Sequence, residues 1–303
     1  MDTKNAENAH FWQVDHTVKQ IAKSNQAVVL SSPEAWKKYP WSRKYFVTKP
    51  LEGYFVWIKE NPGCPLFTCI NLIGKNVKQN MSNVLVIEEG LHIDLSGFCG
   101  SVQLAANREH QAKGKIVLKK GVHLKYVHTH AWKTDDVVSP SYEFVLEEGV
   151  TFNYTYRLKQ APKIMDMHNT FVCEKNASLQ FQVLADCQDS QVRLTDKIQL
   201  IGKGSKAITN LRFVARKNST IEAISHVSAN AASAGHVDCQ SLMIDKKSSV
   251  SLRPEVQSSN KDAQLTHEAS IGKISEEQIT YLRMRGLTQD EAINLIVTGF
   301  LKL

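Results

Sequence analysis

From Leu85 onward the chain alternates apolar and polar positions in short runs that break at a small turn residue and then resume. One copy of the pattern places Leu85, Ile87, Gly90, Leu91, Ile93 and Leu95, and a second places Ile116, Leu118, Gly121, Val122, Leu124 and Tyr126. A third runs through Phe144, Leu146, Gly149, Val150, Phe152 and Tyr154, and a fourth through Phe171, Cys173, Asn176, Ala177, Leu179 and Phe181. Weaker copies turn at Gly204, Asn218 and Lys247. Alternation with period two marks strands that bury one face, and Gly or Asn at the break tolerates the positive φ of a tight turn. The turn residues are 31, 28, 27, 28, 14 and 29 residues apart. A period near 28 with one half-step means stacked units, each burying its face against the next. The spacing alone leaves a β-helix and a β-sandwich of hairpins open.

The flanks differ in character. Trp12, Val14, Val18 and Ile21 are spaced for an amphipathic helix, and Ser32-Pro33-Glu34 has the form of a helix start. Residues 44–72 mix strand and turn signals. The division expected is an N-terminal cap region over 1–80, a solenoid core over 81–274 and a helical hairpin over 275–303, with the two flanks capping the solenoid as terminal elements of repeat folds must. In the hairpin, Ser275 with Gln278 is a capping-box pair and Gly286 a natural stop; Thr288 with Glu291 repeats the device, and Gly299 is expected to close the second helix. Ile293, Ile296, Val297 and Phe300 line one face of it.

At 303 residues, with 42% apolar and 22% charged positions, the composition is that of a soluble globular chain. No apolar run reaches the ~18 residues of a membrane span, and the polar, charged N-terminus does not read as a secretory signal, so a cytoplasmic location is expected. The net charge of +7 comes from scattered lysines with no basic run longer than a pair, which disfavours a nucleic-acid role. Cys64, Cys69, Cys99, Cys173, Cys187 and Cys239 are dispersed without Cys-x-x-Cys spacing, against disulfides and a zinc ribbon. Cys64 and Cys69, beside Pro62, Gly63 and Pro65, read as ordinary loop and strand cysteines. His123, His128 and His130 read as alternating along one strand and facing one side, more simply an exposed strand face than a metal cluster. No Gly-x-x-x-x-Gly-Lys-Ser/Thr loop is present, so the chain itself lacks the means to hydrolyse ATP through one.

The C-terminal string carries a specific resemblance. His267-Glu268-Ala269, then Ile274, Glu277-Gln278-Ile279, Tyr281 and Arg285-Gly286, with Glu291-Ala292 and Gly299-Phe300 beyond, resemble the signature of the SufB/SufD family, the scaffold proteins of SUF iron–sulfur cluster assembly. A second stretch, Ile87-Glu88-Glu89-Gly90 through Cys99, His110, Gly121, Lys125-Tyr126 and Trp132, resembles SufB in the same register. The resemblance covers residues 80–300 and is strongest after 236. It implies a mainly β fold: a right-handed parallel β-helix with a small N-terminal α/β cap and the C-terminal helical hairpin. It also implies a scaffold rather than an enzyme, carrying a transient iron–sulfur cluster with 4Fe-4S favoured. The partners implied are a SufC-like ABC ATPase docked on the hairpin, a sulfur donor and apo-acceptor proteins. The chain is much shorter than full-length SufB, which implies a minimal form that pairs with itself as a homodimer.

The family pattern also implies site residues. SufB-type members place a cluster-related Cys 29 residues before the Glu of the His-Glu pair, which here is Cys239, with His267 and Glu268 about one solenoid period later. Residues one period apart are neighbours on adjacent coils, so Cys239, His267 and Glu268 form the expected cluster site, a soft thiolate with weaker, exchangeable imidazole and carboxylate ligands. Cys99 falls on the position that accepts persulfide sulfur, Trp132 on a tunnel aromatic, and His130 stands where SufB has Gln; these three form the expected sulfur relay. SufD-type members carry Gly after the His, so Glu268 places the chain nearer SufB than a SufD-like accessory subunit. A β-solenoid enzyme acting on polysaccharide or transferring acyl groups would show an acidic strand ladder or a strict hexapeptide repeat, and neither is present. A helix-turn-helix over 276–299 would need Arg, Lys or Asn on its second helix, which is apolar and acidic instead.

Overall fold

The computed structural model describes residues 10–301 apart from 23–24, 64 and 103–106, so Cys64 lies outside the described residues. The alternating runs are strands. In chain order they are β1 (Phe11–Val14), β2 (Thr17–Ile21), β3 (Ala27–Ser31), β4 (Tyr54–Ile58), β5 (Leu66–Leu72), β6 (Lys78–Ile87), β7 (His92–Ser101), β8 (Glu109–Leu118), β9 (His123–Ala131) and β10 (Val137–Leu146). They continue as β11 (Thr151–Gln160), β12 (Ile164–Cys173), β13 (Ser178–Gln188), β14 (Gln191–Leu200), β15 (Lys206–Arg216), β16 (Thr220–Ala229), β17 (Ala234–Met243), β18 (Ser249–Ser258) and β19 (Gln264–Lys273). From β6 onward each strand pairs in parallel with the strand two positions away, never with its chain neighbour. Odd strands build one sheet and even strands the other, and the chain winds between them for about eight turns. That pairing settles the open question in favour of the β-solenoid over a sandwich of hairpins.

The turn residues explain the half-step. Gly90, Gly121, Gly149 and Gly204 have φ of 70–77° and Asn176 has 56°, all at the corner that leads into the odd-numbered sheet. They stack: the amide of Gly90 donates to the Lys120 carbonyl, Gly121 to Glu148 and Gly149 to Lys175, each at 2.9 Å. Asn218, φ 66°, lies at the opposite corner, before β16, and that change of corner is the 14-residue step. The last repeat turns differently. The Asp245 carboxylate there accepts from the backbone amides of Lys217, Lys247 and Ser248.

Apolar inward positions fill the coil. Phe144 stacks on Phe171 at 4.4 Å, and Tyr154 lies between Tyr126 and Phe181 at 5.1 and 5.4 Å. The amphipathic helix expected over Trp12–Ile21 is instead the antiparallel β1–β2 hairpin, turning at Asp15 with φ 48°. Its Phe11–Val14 segment adds in parallel to β5, so sheet extension outweighs the helical spacing. The helix read from Ser32-Pro33-Glu34 is α1 (Ser32–Lys38), followed by a 3-10 turn over Pro40–Tyr45; Ala35 and Phe46 pack with Phe55, Val84 and Val86 on the outside of the even-numbered sheet.

At the other end come α2 (Glu276–Met284) and α3 (Gln289–Leu301). The Ser275–Gln278 capping box is formed, Gly286 turns at φ 96°, and Thr288 and Glu291 cap α3. Gly299, expected as the stop, lies inside α3. Val297 and Leu301, with Ile293, Ile296 and Phe300, pack on Val214 and Leu242, and that contact carries the helix past the glycine despite its cost of about 1 kcal/mol.

Candidate functional site

Two groups of chemistry-bearing side chains sit in the odd-numbered sheet, at different heights. The lower group is inside the coil. Along β9 the inward positions are Leu124, Tyr126, His128 and His130, so two histidines occupy the phase of apolar residues. Cys99 of β7 faces inward as well, in register with His130, while Gly97 is in register with His128. Glycine is required at 97, because a Cβ there would fall 2.7 Å from His128 Cδ2 and 2.8 Å from Tyr126 Oη. His123 does not join them. Five residues from His128, an odd number, it points outward and stacks on His92 at 4.4 Å. The expectation of three histidines on one exposed face is therefore corrected: two are buried within the solenoid and one is outside.

Trp132 Nε1 donates to His130 Nδ1 at 3.1 Å, His130 Nε2 lies 3.1 Å from His128 Nε2, and Cys99 Sγ lies 3.3 Å from that same nitrogen. The tryptophan can only donate, so a neutral His130 carries its proton on Nε2 and donates it to His128 Nε2, whose single lone pair the Cys99 thiol also faces. Burial holds both rings neutral: it pulls His128 down to about 3, helped by His110, and His130 well below the usual imidazole range, helped by His128 and His110. His110, on β8 of the opposite sheet, is pulled by burial to about 4; its ring lies against Trp132 at 5.1 Å and its Nδ1 donates to Gln79 Oε1 at 2.7 Å. Burial likewise pushes the Cys99 thiol far up, with Cys69 adding to the shift.

The upper group belongs to the last two coils. Cys239 is fully buried on the inward face of β17, and burial, then Asp196 and Asp238, push its thiol up to about 12 against the opposing pull of Arg212. β17 and β19 pair with a 30-residue offset, so His267 lies beside Val237, Glu268 beside Asp238, and Ala269 beside Cys239. His267 thus shares the inward phase with Cys239, two positions along the strand and one coil over, a Cα separation of about 8 Å from strand geometry. Glu268 takes the outward phase, where its Oε1 lies 3.6 Å from His236 Nε2 near the Arg212–Asp238 ion pair.

The two thiols are five coils apart, about 24 Å at strand spacing. Tyr156, Leu158, Val183, Ala185, Leu211 and Phe213, all buried, fill the same sheet's inward columns between them. Sequence reasoning missed a polar line on the facing sheet. Asn83, Tyr142, Asn169, Asp196 and Ser225 follow one another along a single inward column, with Gly114 making room for the Tyr142 ring. Asn83 Nδ2 donates to Tyr142 Oη and Asn169 Nδ2 to Asp196 Oδ1, each at 2.8 Å, while Asp196 Oδ2 and Ser225 Oγ have no partner. Burial raises the Asp196 carboxyl to about 8 despite the Asn169 hydrogen bond. The signal was available, since Asp196 falls in phase with Val192, Leu194, Ile198 and Leu200.

Comparison with known proteins gives the family. A family model described as the SufBD core domain of the SUF iron–sulfur cluster assembly system matches residues 71–300. An iron–sulfur cluster assembly SufBD family protein of Archaeoglobus fulgidus is 31% identical, over 99% of this chain and 86% of its own length. A protein of the same designation from Methanothermobacter thermautotrophicus (strain Delta H) is 28% identical, over 97% of this chain and 78% of its own. A chloroplastic member from Arabidopsis thaliana is 24% identical over 82% of this chain and 47% of its own length.

Proposed function

This chain belongs to the SufBD family of the SUF iron–sulfur cluster assembly system, and from that premise we propose that it is a scaffold on which a nascent cluster is built between two copies of the chain. The observation that carries this reading is the open last coil. β18 and β19 are the outermost strands of their sheets, and their inward-phase residues Val256 and Ile271 are 38% and 47% exposed. At the opposite end the sheets finish in the antiparallel strands β2 and β3. Free edges with an uncovered apolar interior favour addition of further strands, and a second copy supplies them by two-fold symmetry. His267 lies on that coil, and Cys239 on the coil beneath, two positions along the strand.

The cluster is cargo, so its ligands must release it, which favours one thiolate with imidazole and carboxylate partners. The buried, protonated Cys239 thiol becomes a ligand only when the last coil is displaced. A SufC-like ATPase docked on α2 and α3 would supply that displacement, since α3 packs on β15 and β17 through Val214 and Leu242. The same movement would bring Glu268 round from the outer face. The test is anaerobic reconstitution of the Cys239→Ser protein with iron and sulfide. The expected result is loss of the visible absorption of the cluster with the circular dichroism spectrum unchanged. Iron and sulfide bound in the parent's amounts would make Cys239 a core residue only and overturn the assignment.

A further inference from the structure

We propose that Cys99, His128 and His130 form a mononuclear binding site for a divalent transition-metal ion of borderline softness inside the solenoid, separate from the cluster site. One ligand atom from each residue lies within 4.8 Å of the other two. A tetrahedral ion with metal–nitrogen bonds of about 2.1 Å and a metal–sulfur bond of about 2.3 Å separates its ligand atoms by about 3.4 Å (N to N) and about 3.6 Å (S to N). The observed separations are 3.1 Å between the two Nε2 atoms and 3.3 Å from Sγ to His128 Nε2. An opening of a few tenths of an ångström at these two pairs, with the Cys99 and His130 ligand atoms within 4.8 Å of each other, converts the hydrogen-bonded trio into a coordination triad.

Ligation asks one rearrangement of the surroundings. The Trp132 indole now donates to His130 Nδ1, so when Nε2 ligates, its proton moves to Nδ1 and the indole turns aside. Both imidazoles are already neutral, so their lone pairs need only tautomeric adjustment. The single proton to leave is that of the Cys99 thiol, and the ion's own charge drives that loss in an apolar site. A donor set of one thiolate and two imidazoles suits Zn(II) or Fe(II) and disfavours Mg(II) and Ca(II). The fourth position opens toward Tyr154, Tyr156 and Asn169, which with the triad line one small interior cleft.

The experiment uses the full chain, freed of metal and titrated anaerobically with Co(II), then challenged with Zn(II) and Fe(II) in separate arms. The expected result is one equivalent of Co(II) with a thiolate-to-cobalt charge-transfer band and intense tetrahedral visible bands, both erased by Zn(II). Cys99→Ser should abolish the charge-transfer band, and His128→Ala and His130→Gln should each weaken binding at least tenfold. Cys239→Ser should bind as the parent does, which separates this site from the cluster site. Should Cys99→Ser fold poorly, His130→Gln, which keeps a planar polar side chain, carries the test. No saturable binding in the parent overturns the proposal. So does a charge-transfer band that survives Cys99→Ser and vanishes in Cys239→Ser, an outcome that would leave the cluster assignment of Cys239 standing.

Discussion

Replacing Asp196 by Asn tests whether the solenoid holds a protonated carboxyl at its centre. Asp196 is fully buried, one oxygen accepts from Asn169, the other has no partner, and burial raises the group from 3.8 to about 8. A carboxyl with a raised folded pKa is protonated in the fold while the unfolded chain is ionised. Between pH 4 and 8 the folded state therefore binds more protons, and stability falls as pH rises. Each pH unit in that window is worth up to ~1.4 kcal/mol. From pH 5 to pH 7.5 the parent should accordingly lose about 3 kcal/mol through this one group. The Asn side chain keeps the acceptor for Asn169 and has no charge to acquire. His110, His128 and His130 act with the opposite sign: their lowered pKa values make their contribution complete above pH 6.5 and progressively lost on acidification. They are common to both proteins and cancel in the difference. Urea unfolding of parent and Asp196→Asn at pH 5 and 7.5, followed by circular dichroism, should show the variant gaining about 3 kcal/mol on the parent across the interval. A difference that does not change with pH would mean that Asp196 is ionised or hydrated in the fold, and would refute the reasoning.

Two other substitutions probe packing and docking. A Cβ at Gly114 would lie 2.1 Å from Tyr142 Cε1, so Gly114→Ala should destabilise the solenoid by about 1–3 kcal/mol, read as a lower urea midpoint; an unchanged midpoint would mean that the polar column tolerates repacking. Arg283 and Arg285 are exposed on or just beyond α2, so Arg283→Glu with Arg285→Glu should weaken co-purification with a SUF ATPase at least tenfold at unchanged melting temperature. Undiminished co-purification would remove α2 from the docking surface.

The coil architecture was legible because its two signals are local: strand phase and a turn residue able to adopt positive φ. What was not legible depended on partners distant in sequence. Trp12, Val14, Val18 and Ile21 satisfy helical spacing well enough, but β1 has a parallel place beside β5, and no window within residues 1–30 contains that information. Gly299 reads as a stop until Val214 and Leu242 are known to lie beneath α3. Around Cys239 the sequence period left the exact offset between neighbouring coils open. Taking 28 and 29 residues as one period places His267 and Glu268 beside Cys239, whereas the last coil is 30 residues round. His267 falls two positions short of Cys239 and keeps its face, whereas Glu268 falls one position short and takes the other.

Strand parity is the stronger guide to a site in this fold. Family resemblance transfers residue identities, but the face on which each acts follows from the odd or even count along its strand. Cys99, His128, His130, Asp196 and Cys239 all occupy inward phase, where water cannot solvate a polar group and every donor or acceptor must find a partner or a proton. The outcome differs by chemistry. The imidazoles stay neutral and join Cys99 and Trp132, Asp196 holds its proton, and Cys239 keeps its thiol until something uncovers it. Glu268 and His236, in outward phase on the last two coils, face none of those demands and remain at the surface. The carboxylate that resemblance groups with Cys239 therefore begins on the opposite side of the sheet from the thiol, and a shared ligand set requires β19 to move. Since β19 is an outermost strand with its interior uncovered, paired along one edge only, such a movement costs less there than in a coil paired on both edges.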